Sequence, residues 1–307
     1  MGHSGYSIMT GRIVWPSAVS IKKEPFLWVA AALFCFLLFL YITFPFGALQ
    51  SRILSEISRN TGWTIRAADW SVGFPFGIEW HDVTLAKPPV PALQIDTLRL
   101  MIPLLVQFTG QRKLEGIVQF PGGSKSGAGK ISATVTASSW SFQGPASVQA
   151  HVHQVDLSTL VKPFVTKGLL QADIAHESTA RPGTVNFAGK GTVNAEVKDL
   201  LLEHIPIGQT ALPPLAFNHA TLTLSCRDAS CEVTDMKADG PDGSITAKGQ
   251  LTLQQPLDHT TLDLTVTILA GAGWAQKSAG LPIPTPPAGT PLIFKLIGTV
   301  ANPRLSV

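Results

Sequence analysis

Thr260-Thr-Leu-Asp-Leu-Thr-Val-Thr-Ile268 decides the reading of this chain. Leu262, Leu264, Val266 and Ile268 fall on one side of an extended strand, and Thr261, Asp263, Thr265 and Thr267 on the other. A period of two is the signature of a strand with one apolar and one wet face. His219-Ala-Thr-Leu-Thr-Leu-Ser225 repeats the pattern, with Leu222 and Leu224 on the apolar side. Working outward, similar runs predict strands at Thr64–Trp70, Ile78–Ala86, Leu93–Met101, Lys113–Phe120, Lys130–Phe142, Ser147–Val155, Leu169–His176, Thr192–Asp199, Ser244–Leu253 and Leu292–Val300. Turn-forming phrases punctuate them: Pro121-Gly-Gly123, Gly144-Pro145, Arg181-Pro-Gly183 and Pro241-Asp-Gly243. The expected fold class is mainly β, an elongated, curved antiparallel sheet or meander. Its apolar face must be covered by a helix, by folding on itself, or by lipid.

Short phrases recur near strand starts: Gly129-Lys-Ile131, Gly189-Lys-Gly-Thr-Val193, Lys248-Gly-Gln-Leu251 and Ile297-Gly-Thr-Val300. Their spacing is irregular, which excludes a strict solenoid. They predict one device used repeatedly, a glycine that relieves crowding at a bend or bulge. Pro282-Ile-Pro-Thr-Pro-Pro287 reads as a stiff connector before the last strand, and Pro103–Phe108 as an apolar insert.

Phe26 to Phe44 carries no charged side chain over 19 residues. As a helix it would measure roughly 28 Å, close to the hydrocarbon thickness of a bilayer. Lys22, Lys23 and Trp28 mark one interface, and Tyr41 and Phe44 the other. A signal-peptide apolar region is shorter, about 7–15 residues, so the expectation is an uncleaved single span. The domain plan is then a cytoplasmic tail (1–25), a transmembrane helix (26–44) and a β-rich domain beyond the membrane (45–307). Basic residues Arg12, Lys22 and Lys23 precede the span, and Arg52 and Arg59 follow it, which tilts the N-terminus toward the cytoplasm. Leu49, Ile53 and Ile57 recur at helical spacing through Gly47–Asn60, and Gly62 can end that helix.

Leu224-Ser-Cys-Arg-Asp-Ala-Ser-Cys-Glu-Val233 places Cys226 and Cys231 on either side of a hairpin tip. A disulfide there implies an oxidising compartment; the alternative is two reduced thiols in a cytosolic loop. Zinc would need about four ligands, and no second Cys/His pair lies nearby in sequence. Cys35, inside the span, reads as a packing or lipid-facing residue.

Of the 307 residues 14% are charged, against about 25% in a usual soluble chain. The net charge is only +3, which leaves no basic stripe for nucleic acid. No catalytic constellation emerges. Gly122-Gly-Ser-Lys-Ser-Gly-Ala-Gly-Lys-Ile-Ser132 lacks the spacing of a phosphate loop and reads as a Gly/Ser hairpin loop. His151 and His153 would share a strand face without a third ligand. His81-Asp82 is weaker still, with His81 and Trp80 expected on the sheet beside the membrane-proximal helix. Asp69, Asp82 and Asp96 show no acid/base pairing, and Trp63, Trp70, Trp80, Trp140 and Trp274 read as packing or interfacial aromatics. The expectation is no enzyme, no cofactor and no metal.

Several segments in order carry a resemblance: Tyr41-Ile-Thr-Phe-Pro-Phe46, Gly62-Trp-Thr-Ile65, Gly73-Phe-Pro-Phe-Gly77, Leu93-Gln-Ile-Asp-Thr-Leu98, the Cys226/Cys231 block, Ala238-Asp-Gly-Pro-Asp-Gly243, Lys248-Gly249, Pro256-Leu257 and Gly298-Thr-Val-Ala-Asn-Pro-Arg304. Together they resemble type II secretion system protein N, and the last is similar to the closing strand of AsmA-like proteins. The resemblance implies a bacterial inner-membrane, single-pass protein with a periplasmic β-domain and other secretion-apparatus proteins as partners. It carries over no catalytic residues. Two functions follow: a non-enzymatic scaffold of protein secretion, or an AsmA-like carrier whose apolar groove binds lipid. The scaffold expects Leu262, Leu264 and Val266 in a closed core. The carrier expects them to line an open trough.

Overall fold

The computed structural model describes residues 46–306 apart from 74–76, 88–89, 104–109, 123–128, 140–143, 162–163, 180–187, 204–205, 208–209, 212, 256–258 and 278–289, together with 28–29, 31–32, 34–36, 39 and 43. The chain divides into two compact units, Met1–Leu49 and Gln50–Val307. In the first, the described residues between 28 and 43 are helical, and Trp28, Val29, Phe34, Phe36 and Phe39 are exposed. The Thr43 hydroxyl donates to the Phe39 carbonyl one turn earlier. Both ends of the expected Phe26–Phe44 span lie outside the described residues. Among the described residues no helix is long and apolar enough to cross a membrane.

The second unit is built on one 14-stranded antiparallel sheet. Its strands are β1 (Thr64–Gly73), β2 (Gly77–Lys87), β3 (Val90–Met101), β4 (Arg112–Gln119), β5 (Lys130–Ala137), β6 (Ala146–Asp156), β7 (Val165–Ser178), β8 (Gly189–Leu202), β11 (Leu215–Arg227), β12 (Ser230–Gly240), β13 (Gly243–Thr252), β14 (Thr261–Ala270), β15 (Pro291–Thr299) and β16 (Asn302–Ser306). A separate two-stranded ribbon, β9 (Pro206–Ile207) and β10 (Thr210–Ala211), is inserted between β8 and β11. Every sheet strand pairs with its predecessor and its successor, a pure meander. The outer strands β1 and β16 do not pair with each other among the described residues.

Three helices accompany the sheet: α1 (Phe46–Thr61), α2 (Leu157–Leu160) and α3 (Ala272–Lys277). α1 is the helix the Leu49/Ile53/Ile57 spacing predicts. It ends where the Gly62 N–H bonds the Ser58 carbonyl at 2.9 Å, with Gly62 at φ 71°. Asp156 caps α2, its carboxylate accepting from the Ser158 N–H at 2.9 Å. The meander brings all three helices to the same end of the strands. α1 leads into β1 there, α2 follows β6 there and α3 follows β14 there.

The two buried clusters gather mainly at this end. One joins Ile78, Trp80, Val83, Ile95, Phe120 and Val155, with Ile53 and Leu54 of α1 and Leu160 of α2 packed on it. The other joins Leu215, Phe217, Ala238 and Trp274 of α3, with Leu200, Leu202 and Ala270 against it.

A polar latch fixes α3. The nearly buried Asp242 carboxylate accepts from the Ala216 N–H at 2.6 Å and from Lys277 Nζ at 2.7 Å, and Lys277 also donates to the Pro214 carbonyl. A β-carbon at Gly273 would lie 2.3 Å from Asp242 Oδ1, so only glycine lets the helix pass. Asp242→Ala strands the Ala216 N–H and one lysine proton. The expected cost is about 2 kcal/mol in urea unfolding, the penalty for a polar group left without its partner.

The sequence reading is corrected in several places. The Lys130–Phe142 strand stops at Ala137, because Ser138 and Ser139 bend the chain, and 140–142 lie outside the described residues. Strands β12 and β16, the β9–β10 ribbon, α2 and α3 were not expected. The recurrent-glycine device is present. At Gly249 the backbone takes φ 148°, and a β-carbon would lie 2.1 Å from the Asp263 carbonyl oxygen of the next strand. Close approach of two strands requires the missing side chain there.

Candidate functional site: one apolar face

Directly paired residues in an antiparallel ladder point to the same side of the sheet. The register therefore carries the face of Leu264 across every strand. One row reads Val72, Ile78, Leu100, Gly116, Ala133, Ala150, Ile174, Val193, Leu224, Val233, Gly249, Leu264, Leu296 and Leu305. The next runs from Trp70 through Trp80, Leu98, Val118, Ile131, Val152, Ala172, Ala195, Leu222, Met236, Ala247 and Val266 to Phe294. Such a row crosses thirteen strands, about 58 Å measured along the sheet at ~4.8 Å per strand.

The opposite face is as uniformly polar over most of its width. It holds the ion pairs Arg99–Glu79 (2.8 Å), Lys113–Glu115 (2.6 Å), Lys198–Glu196 (3.3 Å), Lys237–Asp239 (2.8 Å) and Lys295–Asp263 (3.2 Å). The Lys198 ammonium, and after it His219, hold the Glu196 carboxyl below the usual carboxylate range. Hydrogen bonding to Asp239 raises the Lys237 ammonium. These groups stand in water, so each pair adds little to stability. His151 and His153 share this face, as the alternation predicts. His151 Nδ1 meets Asp173 Oδ1 at 2.5 Å, and among the described residues no three His, Cys, Asp or Glu side chains group as metal ligands. His81 also lies here, 3.5 Å from the Ser71 hydroxyl, while its neighbour Trp80 is 1% exposed in the core on the other side.

The apolar face is not sealed. Leu264 is 9% exposed, whereas Leu222, Leu224, Leu262, Val266 and Ile268 are half-buried. Val193, Ala195, Ala150 and Ile174 are half-buried too. Burial is uneven along the strands: Val83, Val155, Leu215 and Phe217 are buried toward the helix-bearing end, and Ile78, Ala137, Cys231 and Val233 toward the other. The face is a partly covered trough, with residues of the three helices packed against it at one end.

Changes of phase keep this face apolar through β2, β6, β8 and β11. Trp80 and Val83, Val152 and Val155, Val197 and Leu200, and Phe217 and Ala220 are three residues apart yet all project to it. Between the first three pairs sit Asp82, Gln154 and Asp199, each with φ near 50°. An extra residue in the left-handed conformation resets the alternation and bends the strand. Asp82 is thus the residue at which β2 changes phase.

Cys226 and Cys231 form a disulfide across a register pair of β11 and β12, on the trough side, with Cα atoms 3.9 Å apart. Cys35 is free and exposed. Cys226→Ser opens a loop of only a few residues, so the expected loss is about 2 kcal/mol. Guanidinium unfolding with and without reductant measures it, and equal midpoints for the two forms would contradict it.

Comparison with protein-family models, curated proteins and solved structures found no match for this chain.

Proposed function

We propose that this chain is a non-enzymatic, membrane-anchored protein whose sheet holds lipid acyl chains along its apolar face. The supporting observation is the half-exposed state of a side-chain surface that is apolar from β1 to β15. A monomeric soluble domain rarely leaves so large a contiguous apolar area in water. Acyl chains cover it without needing backbone hydrogen bonds or charged partners. The uncharged Phe26–Phe44 stretch serves as the anchor, and the disulfide suits an oxidising space such as the periplasm. The test is mass spectrometry of the full chain extracted in mild detergent. Stoichiometric phospholipid supports the reading, and its absence after gentle extraction overturns it.

A second reading, a scaffold in the type II secretion apparatus, is favoured by the order of the Gly/Pro and Cys motifs along the chain and by the outer strand β1. Among the described residues its Thr64–Gly73 backbone pairs on one side only, which suits strand addition by a partner. Lipid-free protein that crosslinks through β1 to other secretion components would favour this reading over the first.

A further inference from the structure

Two hydrogen-bond donors on the trough side have no acceptor. Trp80 Nε1 and Trp274 Nε1 are buried, and neither has a hydrogen-bond partner. Among the described residues no other buried side-chain nitrogen or oxygen is left in this state. Trp80 is 1% exposed and Trp274 is 9% exposed. Each of the two apolar clusters holds one of the rings, Trp80 among Ile78, Val83 and Ile95, Trp274 among Leu215, Phe217 and Ala238. A buried indole N–H ordinarily finds a partner, so an orphan in each cluster calls for a cause.

The side chains clustered around both rings are aliphatic or aromatic and offer no acceptor. An unmet donor in such surroundings costs free energy, which an acceptor brought from outside would recover. The covers over the rings are slight. Ile53 and Leu54 of α1 and Leu160 of α2 lie on the first cluster and are themselves only half-buried. The rest of α1 exposes Ser51, Arg52, Ser55, Glu56 and Arg59, and Gly62, at φ 71°, joins it to β1. Trp274 is carried by α3, a helix of 6 residues.

Resting on the acyl-chain reading above, we infer that the trough takes glycerolipids whose chains are joined by esters, and that Trp80 and Trp274 donate their indole N–H groups to ester carbonyl oxygens. An ester carbonyl is an acceptor flanked by hydrocarbon, so it meets an N–H in apolar surroundings without bringing a charge. Each ring is reached when the helical residues over its cluster give way, and the new hydrogen bond offsets the contacts they lose. Ten strand steps separate β2, which carries Trp80, from β14, which leads into α3. That is about 48 Å along the sheet at ~4.8 Å per strand, so the two rings serve two lipids.

The experiment uses the full chain in mild detergent, offered an equimolar mixture of diacyl and dialkyl phosphatidylcholine of equal chain length. The second lipid has ether links in place of esters and so lacks the carbonyls. Mass spectrometry of the retained lipid should show the diacyl form in about tenfold excess, the worth of a hydrogen bond to a donor otherwise buried and unmet. Trp80→Phe with Trp274→Phe should retain the two lipids equally, because phenyl rings keep most of the packing and lose the donors. Trp63→Phe, outside both clusters, should keep the preference. Equal retention by wild type overturns the inference, points to buried water as the acceptor and leaves the acyl-chain reading standing. A preference that survives the double variant also overturns it. Retention of neither lipid overturns both. The wild-type ratio needs no variant, so a misfolded mutant does not leave the question open.

Discussion

Trp80→Ala should destabilise the domain by about 3–5 kcal/mol. The indole is 1% exposed and sits at the centre of the larger cluster, with Val83 and Ile95 beside it and α1 above through Ile53 and Leu54. Removing a buried aromatic forfeits its transfer energy and leaves a cavity that a sheet of paired strands cannot collapse. The effect should exceed that of any single residue in the half-exposed middle of the trough. Urea unfolding followed by tryptophan fluorescence and circular dichroism gives the number. A loss under about 1 kcal/mol would mean that the helix-bearing rim is not where the sheet draws its stability.

Leu222→Asp should do the reverse. Leu222 is half-buried between Ala195 and Met236, in the open stretch of the face. A carboxylate there reaches water, so the domain should stay folded at a cost of roughly 1–2 kcal/mol. The same carboxylate would lie against methylene groups when a tail occupies the trough, and an unpaired charge there is prohibitive. Copurified lipid should fall at least tenfold while the circular dichroism spectrum holds. Outright unfolding would show that Leu222 belongs to a closed core.

The two outcomes differ because burial is uneven along each strand, and this is the part that the sequence conceals. The alternation in Thr261–Ile268 and His219–Ser225 makes the strand type and the apolar face legible from residues alone. It breaks down where a strand changes phase. In β12, Cys231 and Val233 alternate, then Met236 and Ala238 resume after a bulge at Thr234–Asp235. A period-two reading finds two short fragments there and no strand. The Gly-bearing phrases were readable as bends because only glycine tolerates what Gly249 requires. The disulfide was readable from the spacing of Cys226 and Cys231 around a turn.

Which face a polar residue takes at a strand end was not readable. Arg112 sits beside Lys113, and nothing in Gln111-Arg-Lys113 says which cation faces the threonines and which the valines. Only pairing with Ala137 and Thr136 separates them. His176 likewise becomes distinctive only once β6 and β8 place Val148 and Gly191 beside it. The three helices pack at one end through contacts between residues far apart in sequence, such as Ile53 with the cluster around Trp80 and Lys277 with Asp242.

The central claim is that lipid lies on one face of the sheet and not on the other. Photocrosslinking side chains placed one at a time at consecutive positions of β8 and β11 tests it directly in the full chain within membranes. Positions 193, 195, 222 and 224 should yield phospholipid adducts, and positions 192, 194, 221 and 223 should not. Adducts with no two-residue alternation, or none at any position, would contradict the account.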